Sequence, residues 1–248
     1  MHLKIGGDID SLKKLFTPLK NTIFHPQWLS YRGKDVLVQW LRQVQPSETV
    51  LDVGCAKRWT ESYLPASCHY VGLDYIVTAT ERYNSTADVY ATATSLPLKD
   101  CSVDTVIMFD VLEHITSSSM ALSEARRVLK PGGKVLVQIP YLYPIHDAPY
   151  DYRRLTSFGL KELARQNHLN IQSIGYRGQP LETAILLTNI ALVKSTVNLS
   201  EKYPSIRIVG YFLVGILTTM LNCIGWMAST VLPKDGLMPF SYHYAMYK

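Results

Sequence analysis

The chain is short of charge. Of its 248 residues, 25 are Lys or Arg and 20 are Asp or Glu, which makes 18% charged, against about 25% in an ordinary soluble domain. It has no dense Lys/Arg run, and its formal net charge of +5 is mild and diffuse. That excludes the basic stripe of a nucleic-acid-binding surface, so no nucleic-acid partner is expected. Disorder is excluded for most of the chain by an apolar content of 47% and the low net charge. The 14 Gly and 13 Pro show no period, which excludes fibrous repeats. Cysteine is scarce and scattered. Cys55, Cys68, Cys101 and Cys223 form no CxxC pair, and none sits beside a His at zinc-ligand spacing, so no metal site is expected. The opening stretch MHLKIGGDIDSLKKLF carries charges throughout and lacks the apolar core of a secretory signal. Reduced thiols in a cytoplasmic setting are the expectation.

What is present is an alternation of strand-like and helix-like runs. Residues 1–47 read as an N-terminal extension with one or two helices, where Leu29, Val36, Leu37, Trp40 and Leu41 fall near helical spacing. Strand-like runs then appear at Thr49–Val53, Tyr70–Leu73, Val103–Phe109, Lys134–Ile139 and Asn170–Tyr176, with a weaker one near Val89–Ala91. The clearest helices are Ser118–Leu129, stopped by Lys130-Pro131-Gly132-Gly133, and Ser157–Asn167. The tail Phe240–Lys248 alternates as a last strand does. This pattern predicts βαβ units and an α/β fold, a doubly wound sheet covered on both faces.

Chemistry points to the segment VLDVGCAKRW, Val50 to Trp59: a strand, a Gly-containing turn and an expected helix. In doubly wound sheets the ligand sits beyond the carboxyl ends of the strands. Gly54 lets backbone approach a ligand. Asp74 closes the next strand, where an acidic residue can bind ribose hydroxyls. One Gly and one Asp are by themselves a weak signal.

Four stretches raise it. VLDVGC (50–55), YVGLDY (70–75), ATSLPLKDCSVDTVIMFDVLEHI (93–115) and EARRVLKPGGKVLVQIPY (124–141) resemble, in order and spacing, the class I S-adenosylmethionine-dependent methyltransferases, in particular the type 11 group. The resemblance covers about residues 49–176. It implies a Rossmann-like seven-stranded sheet of order 3-2-1-4-5-7-6 with the last strand antiparallel, and S-adenosylmethionine as cofactor. It also implies roles. Asp52, Gly54, Cys55 and Ala56 belong to the first motif, with Asp52 and Gly54 under the methionine part of the cofactor. Asp74 corresponds to the ribose-binding acid, with Tyr75 beside it. Thr92, Ser95 and Leu96 fall near the adenine, and Asp110 faces the transfer pocket. Ala56 stands where the family usually has Gly, and Arg58 where it often does. Thr92 replaces an Asp that commonly holds the adenine amino group.

Methyl transfer from a sulfonium asks the protein mainly to align the nucleophile and exclude water. An oxygen nucleophile also needs a base. His114, His146 and Asp151 are the candidate bases, and Glu113, Tyr150 and Arg153 the candidate substrate contacts. Most lie in the loop after Pro140, which resembles an H-x-x-P-Y-D-Y-x-R stretch in methyltransferases of cell-surface glycan pathways. The competing reading of that loop is a structural lid with Asp151 paired to an Arg.

The remaining oddity is residues 183–232, which hold only Lys194, Glu201, Lys202 and Arg207 as charges. Ile208–Leu232 has none, and Pro204 and Pro233 bracket it. As a helix it would run ~38 Å, enough to cross a bilayer. Ala184–Val193 reads as a second apolar stretch too short to cross. A single crossing would leave the last strand on the wrong side of its sheet. The expectation is an apolar helical insertion making peripheral membrane contact, with a homodimer interface as the alternative.

The chain therefore reads as an extension (1–47), a methyltransferase domain (48–182 and 233–248) and an insertion (183–232). The expected function is methyl transfer to a small-molecule, glycan or lipid-linked acceptor, on an oxygen, at the inner membrane face. The alternatives are a non-catalytic binding protein of the same fold, and a soluble small-molecule methyltransferase dimerising through the insertion.

Overall fold

The computed structural model describes residues 16–32 and 35–248. The opening segment that bears on targeting lies mostly outside these residues. Seven strands form one mixed sheet: β1 (Thr49–Val53), β2 (His69–Asp74), β3 (Val89–Tyr90), β4 (Val103–Phe109), β5 (Leu129–Pro140), β6 (Asn170–Arg177) and β7 (Ser241–Tyr247). Their order is β3-β2-β1-β4-β5-β7-β6, as the resemblance implies. The helices are α1 (Trp28–Tyr31), α2 (Asp35–Arg42), α3 (Ser118–Val128), α4 (Ser157–Gln166), α5 (Pro180–Lys202) and α6 (Arg207–Val231). α5 and α6 are the apolar insertion before the last strand.

The central strands are buried almost end to end. Val50, Leu51, Val106, Ile107, Met108, Val135 and Val137 are fully shielded, because helices cover both faces of a parallel sheet. β1 pairs in parallel with β2 and β4, and β4 with β5. Leu37 and Leu41 of α2 pack into the cluster of Val50, Ile107, Phe109 and Leu136. The last strand forms as its alternation predicts, and β7 is buried on both faces. His243 is buried, and at Gly175 a Cβ would fall 2.0 Å from its Nε2, so that glycine makes room for the ring.

Two local expectations are corrected. No α-helix follows β1; the chain makes turns and a 3-10 turn at Glu61–Tyr63, because Gly54, Ala56 and Arg58 all have positive φ. Lys130–Gly133 stops α3 as expected, but as a bulge within β5: the register jumps from Val103↔Leu129 to Thr105↔Lys134.

The described residues divide into two compact units with boundaries unlike those drawn from sequence. One comprises 35–141, 150–175 and 242–248; the other comprises 16–32, 142–149 and 176–241. The expected extension is thus split between them. In the second unit α5 and α6 form a hairpin. α5 has 23 residues, so the second apolar stretch is part of a helix long enough to cross a membrane, not too short. Pro180 opens it, and the Gln179 amide donates to the Glu182 carboxylate at 3.2 Å, as in a capping box. Asn222 of α6 donates to the carbonyls of Ile23 and His25, and Asn189 of α5 donates to Pro26 and to Asn222 Oδ1. Two buried amides thereby fix residues 23–26 against the hairpin.

Candidate functional site

The candidate residues of the first unit collect beyond the carboxyl ends of β1, β2, β4 and β5. The turn after β1 folds back on β2: the amides of Gly54 and Cys55 donate to Leu73 O at 2.8 and 3.1 Å. Gly54 has φ +73, and a Cβ there would meet Val111 at 2.6 Å, so only glycine fits. Ala56 and Arg58 adopt φ 44 and 55. At both positions where the family favours glycine, the backbone keeps the left-handed conformation without it, at a cost of about 1–2 kcal/mol each.

Asp74 ends β2. Its Oδ2 accepts the Ala56 amide at 2.8 Å and its Oδ1 the Tyr75 amide at 2.7 Å. Burial still holds its pKa above the ordinary range. Each oxygen keeps a further lone pair, and a carboxylate so placed suits a ribose diol. Beside it Tyr75 is half exposed. The donor set thus fits the cofactor the resemblance implies: a glycine-permitted turn under the sheet edge and an acid at the end of the neighbouring strand.

Asp52 sits lower, inside β1, and is 3% exposed. Its Oδ2 accepts from the Thr60 hydroxyl and, at 2.8 Å, from Tyr70. Burial pushes its pKa up to about 6. The Cys55 thiol is likewise raised by burial, to about 12, so it is an inert side chain at neutral pH. Arg58 reaches out to Asp88 and Glu61, and its guanidinium lies 4.8 Å from the Tyr70 ring centre. Asp88 in turn accepts the Gly72 amide, and its pKa is lowered by Arg58.

Thr92 is bridged to Ser95, and its hydroxyl lies 3.2 Å from that of Thr94. Leu96 is buried, and its amide donates to Glu124. Arg127 ties down this loop through Leu96 O, Leu98 O and Asp100 while pairing with Glu124. Asp110, at φ 57 just after β4, accepts from the Gln138 side chain at 2.8 Å.

Glu113 is fully buried, and His114 Nε2 lies 3.6 Å from its carboxylate. His114 Nδ1 is 2.8 Å from Tyr150 O. A carbonyl only accepts, so Nδ1 carries a proton and donates it to Tyr150 O, with Nε2 turned toward Glu113. The Tyr152 amide donates to Glu113 O, and Arg153 donates to Thr116 O. The Tyr150–Arg153 strand of loop is therefore fastened to the turn that bears His114. Asp151 is gripped by Arg154 through both oxygens, at 2.5 and 2.7 Å, so the pairing weighed as the competing reading of this residue is present. His146 belongs to the other unit, where its ring stands edge-on to Tyr143 with Nδ1 3.3 Å from Pro144 O.

Sequence reasoning did not single out Thr60, Tyr70, Asp88, Glu124, Arg127 or Gln138. Only the Glu124/Arg127 pair left a signal, three apart on one helix face. The others act across strands.

Comparison with known proteins agrees with this geometry. Residues 51–137 match the family model described as "Methyltransferase domain". Over 144 residues the chain is 31% identical to a "Probable S-adenosylmethionine-dependent methyltransferase" of Mycolicibacterium smegmatis, covering 54% of this chain and 56% of that protein. A protein of the same description from Mycobacterium tuberculosis is 30% identical over 115 residues, 44% of this chain and 42% of the relative. The chain thus spans about half the length of the curated relatives it matches. Among solved structures, the 4+2 cyclase SpnF superposes with a TM-score of 0.55 over 97% of this chain and 94% of its own, at 16% identity, which speaks to fold alone.

Proposed function

The chain belongs to the class I S-adenosylmethionine-dependent methyltransferases, and from that membership we propose that it transfers a methyl group to an oxygen of a small-molecule, glycan or lipid-linked acceptor. The observation that carries the reading is the pairing of the Asp74 carboxylate with the left-handed turn at Gly54–Arg58, directly across two adjacent strand ends. S-adenosylmethionine, when bound, supplies an electrophilic methyl group on its sulfonium. Asp74 would accept from the ribose hydroxyls, and the turn after β1 would lie against the amino-acid part.

The acceptor side rests on His114. With Nδ1 held at Tyr150 O, Nε2 is the ring atom assigned to take a proton from an acceptor hydroxyl. Glu113, 3.6 Å away, stabilises the ring once it is protonated. Arg154 occupies Asp151, so Asp151 holds the loop rather than the proton. Tyr150 and Tyr152, both half exposed, offer stacking faces to a sugar or lipid headgroup. We also infer a cytoplasmic setting, supported by four cysteines that are all free thiols.

Calorimetric titration with S-adenosylmethionine tests the first part. Binding should be seen with the intact protein and fall by about tenfold or more in Asp74→Ala, the cost of one or two charge-assisted hydrogen bonds. No binding to the intact protein at millimolar cofactor sinks the reading. Cell extracts incubated with methyl-labelled cofactor then identify the acceptor, and label confined to nitrogen would remove the O-methyl assignment. With an acceptor in hand, His114→Gln should lower kcat far more than it raises KM.

A further inference from the structure

We propose that the α5–α6 hairpin lies in the plane of a lipid bilayer, with α6 sunk toward the acyl chains and the outer face of α5 in water. The proposal stands independently of the methyltransferase reading. It begins from a contrast between two adjacent helices. The exposed residues of α6 include Ile208, Phe212, Leu213, Ile216, Met220 and Met227, between 47% and 83% exposed. At 100° per residue they cover about 140° of the helix circumference, over a length of ~29 Å. No charged residue interrupts them. On α5 the exposed positions include Thr188, Ser195, Asn198 and Lys202, which share one polar stripe.

An unpartnered apolar face could equally meet protein; the uncharged length of α6 and the groups at its two ends favour lipid. Every Ser and Thr of α6 donates back to a carbonyl of its own helix: Thr218 and Thr219 to Gly215, Ser229 to Trp226, Thr230 to Met227. Tyr211 is bonded to Ser200. With their donors met inside the helix, these hydroxyls can enter hydrocarbon without stranding a proton. The ends of the helix also suit headgroups. Arg207 lies 5.8 Å from the ring of Tyr211 at one end, and Arg32 lies 5.7 Å from the ring of Trp226 near the other, the cationic and aromatic pairing found at membrane–water boundaries. Residues 194–235 carry Lys194, Lys202, Arg207 and Lys234 against Glu201 and Asp235 as charges, a small positive excess. Anionic lipid should therefore strengthen a binding driven mainly by apolar burial.

In-plane placement is favoured over a crossing by α5. A hairpin that crossed would carry Lys194, Ser195 and Asn198 toward hydrocarbon, where each is costly. An apolar cleft of about 270 Å³ between the two helices, lined by Leu192, Leu199, Ile206, Leu213 and Leu217, opens a path for an acyl chain.

The test is flotation of the full-length protein with vesicles of phosphatidylcholine, with and without phosphatidylglycerol. The protein should float, more strongly with the anionic lipid, and remain bound at high salt. Phe212→Glu/Ile216→Glu, at exposed positions, should retain its circular dichroism and lose partitioning by about tenfold or more. Nitroxides placed by Ile216→Cys and Asn198→Cys, each in a Cys68→Ser/Cys101→Ser/Cys223→Ser background, should report acyl-chain depth for 216 and water for 198. Failure of the intact protein to float overturns the proposal. So does acyl depth at both labels, which means a crossing hairpin, or a vesicle-independent dimer that the Glu variant dissociates.

Discussion

Exchanging Asp52 for Asn should stabilise the protein at neutral pH and remove one slope from its pH profile. Asp52 is 3% exposed, and its pKa is raised from 3.8 to about 6, chiefly by burial. The native state therefore binds this proton more tightly than the unfolded chain does. Its contribution is fully favourable below about pH 4 and is lost as pH rises through about 6. A shift of about two units corresponds to about 3 kcal/mol. Asn keeps a carbonyl oxygen to accept from Thr60 and Tyr70 and has nothing to ionise. Urea unfolding of both proteins across this range should show little difference near pH 4, and an advantage of about 2–3 kcal/mol to Asp52→Asn near pH 7. Asp88 and Glu124, held low by Arg58 and Arg127, slope the other way in both proteins and cancel in the difference. Parallel curves, with a constant offset, would refute the reasoning: Asp52 would then be charged without penalty in the fold.

Two further outcomes follow from the same contacts. Ala56→Gly should raise unfolding stability by about 0.5–1 kcal/mol, because relief of a left-handed residue exceeds the entropy that glycine adds to the unfolded chain; a loss of stability would mean the Ala56 methyl is packed rather than strained. Asn222→Ala should cost about 3 kcal/mol, since it strips hydrogen bonds from the Ile23 and His25 carbonyls and from Asn189 in a fully buried site; thermal unfolding within about a degree of the parent would show that water replaces the amide.

Much of the fold was legible because it rests on local rules. The runs Thr49–Val53 and Val103–Phe109 are strands at the expected bounds, since β-branched and apolar residues flanked by turn formers have few alternatives. α3 begins at a Ser cap and ends at Pro-Gly-Gly. The sheet order came from family resemblance, which encodes crossovers that no local pattern reveals. The sequence predicts a helix where the turn after β1 lies, because nothing in Ala56 or Arg58 announces a positive φ. Neither residue prefers it, and the hydrogen bonds of Asp74 to Ala56 and of Asp88 and Glu61 to Arg58 hold them there.

The low charge content divides in the same way. By itself the sequence determined that the shortage is concentrated in residues 183–232, with four charges in fifty positions. It also pointed to Gly54 and Asp74 as candidate site residues, because both fall at the ends of readable strands. Tertiary structure alone decided that the apolar residues form two paired helices with unlike faces, because which side of a helix is covered depends on its neighbour and not on its own period. It alone decided that Arg154 claims Asp151 and that Tyr150 O fixes the proton on His114, because those partners meet only once the loop has closed over the end of β4.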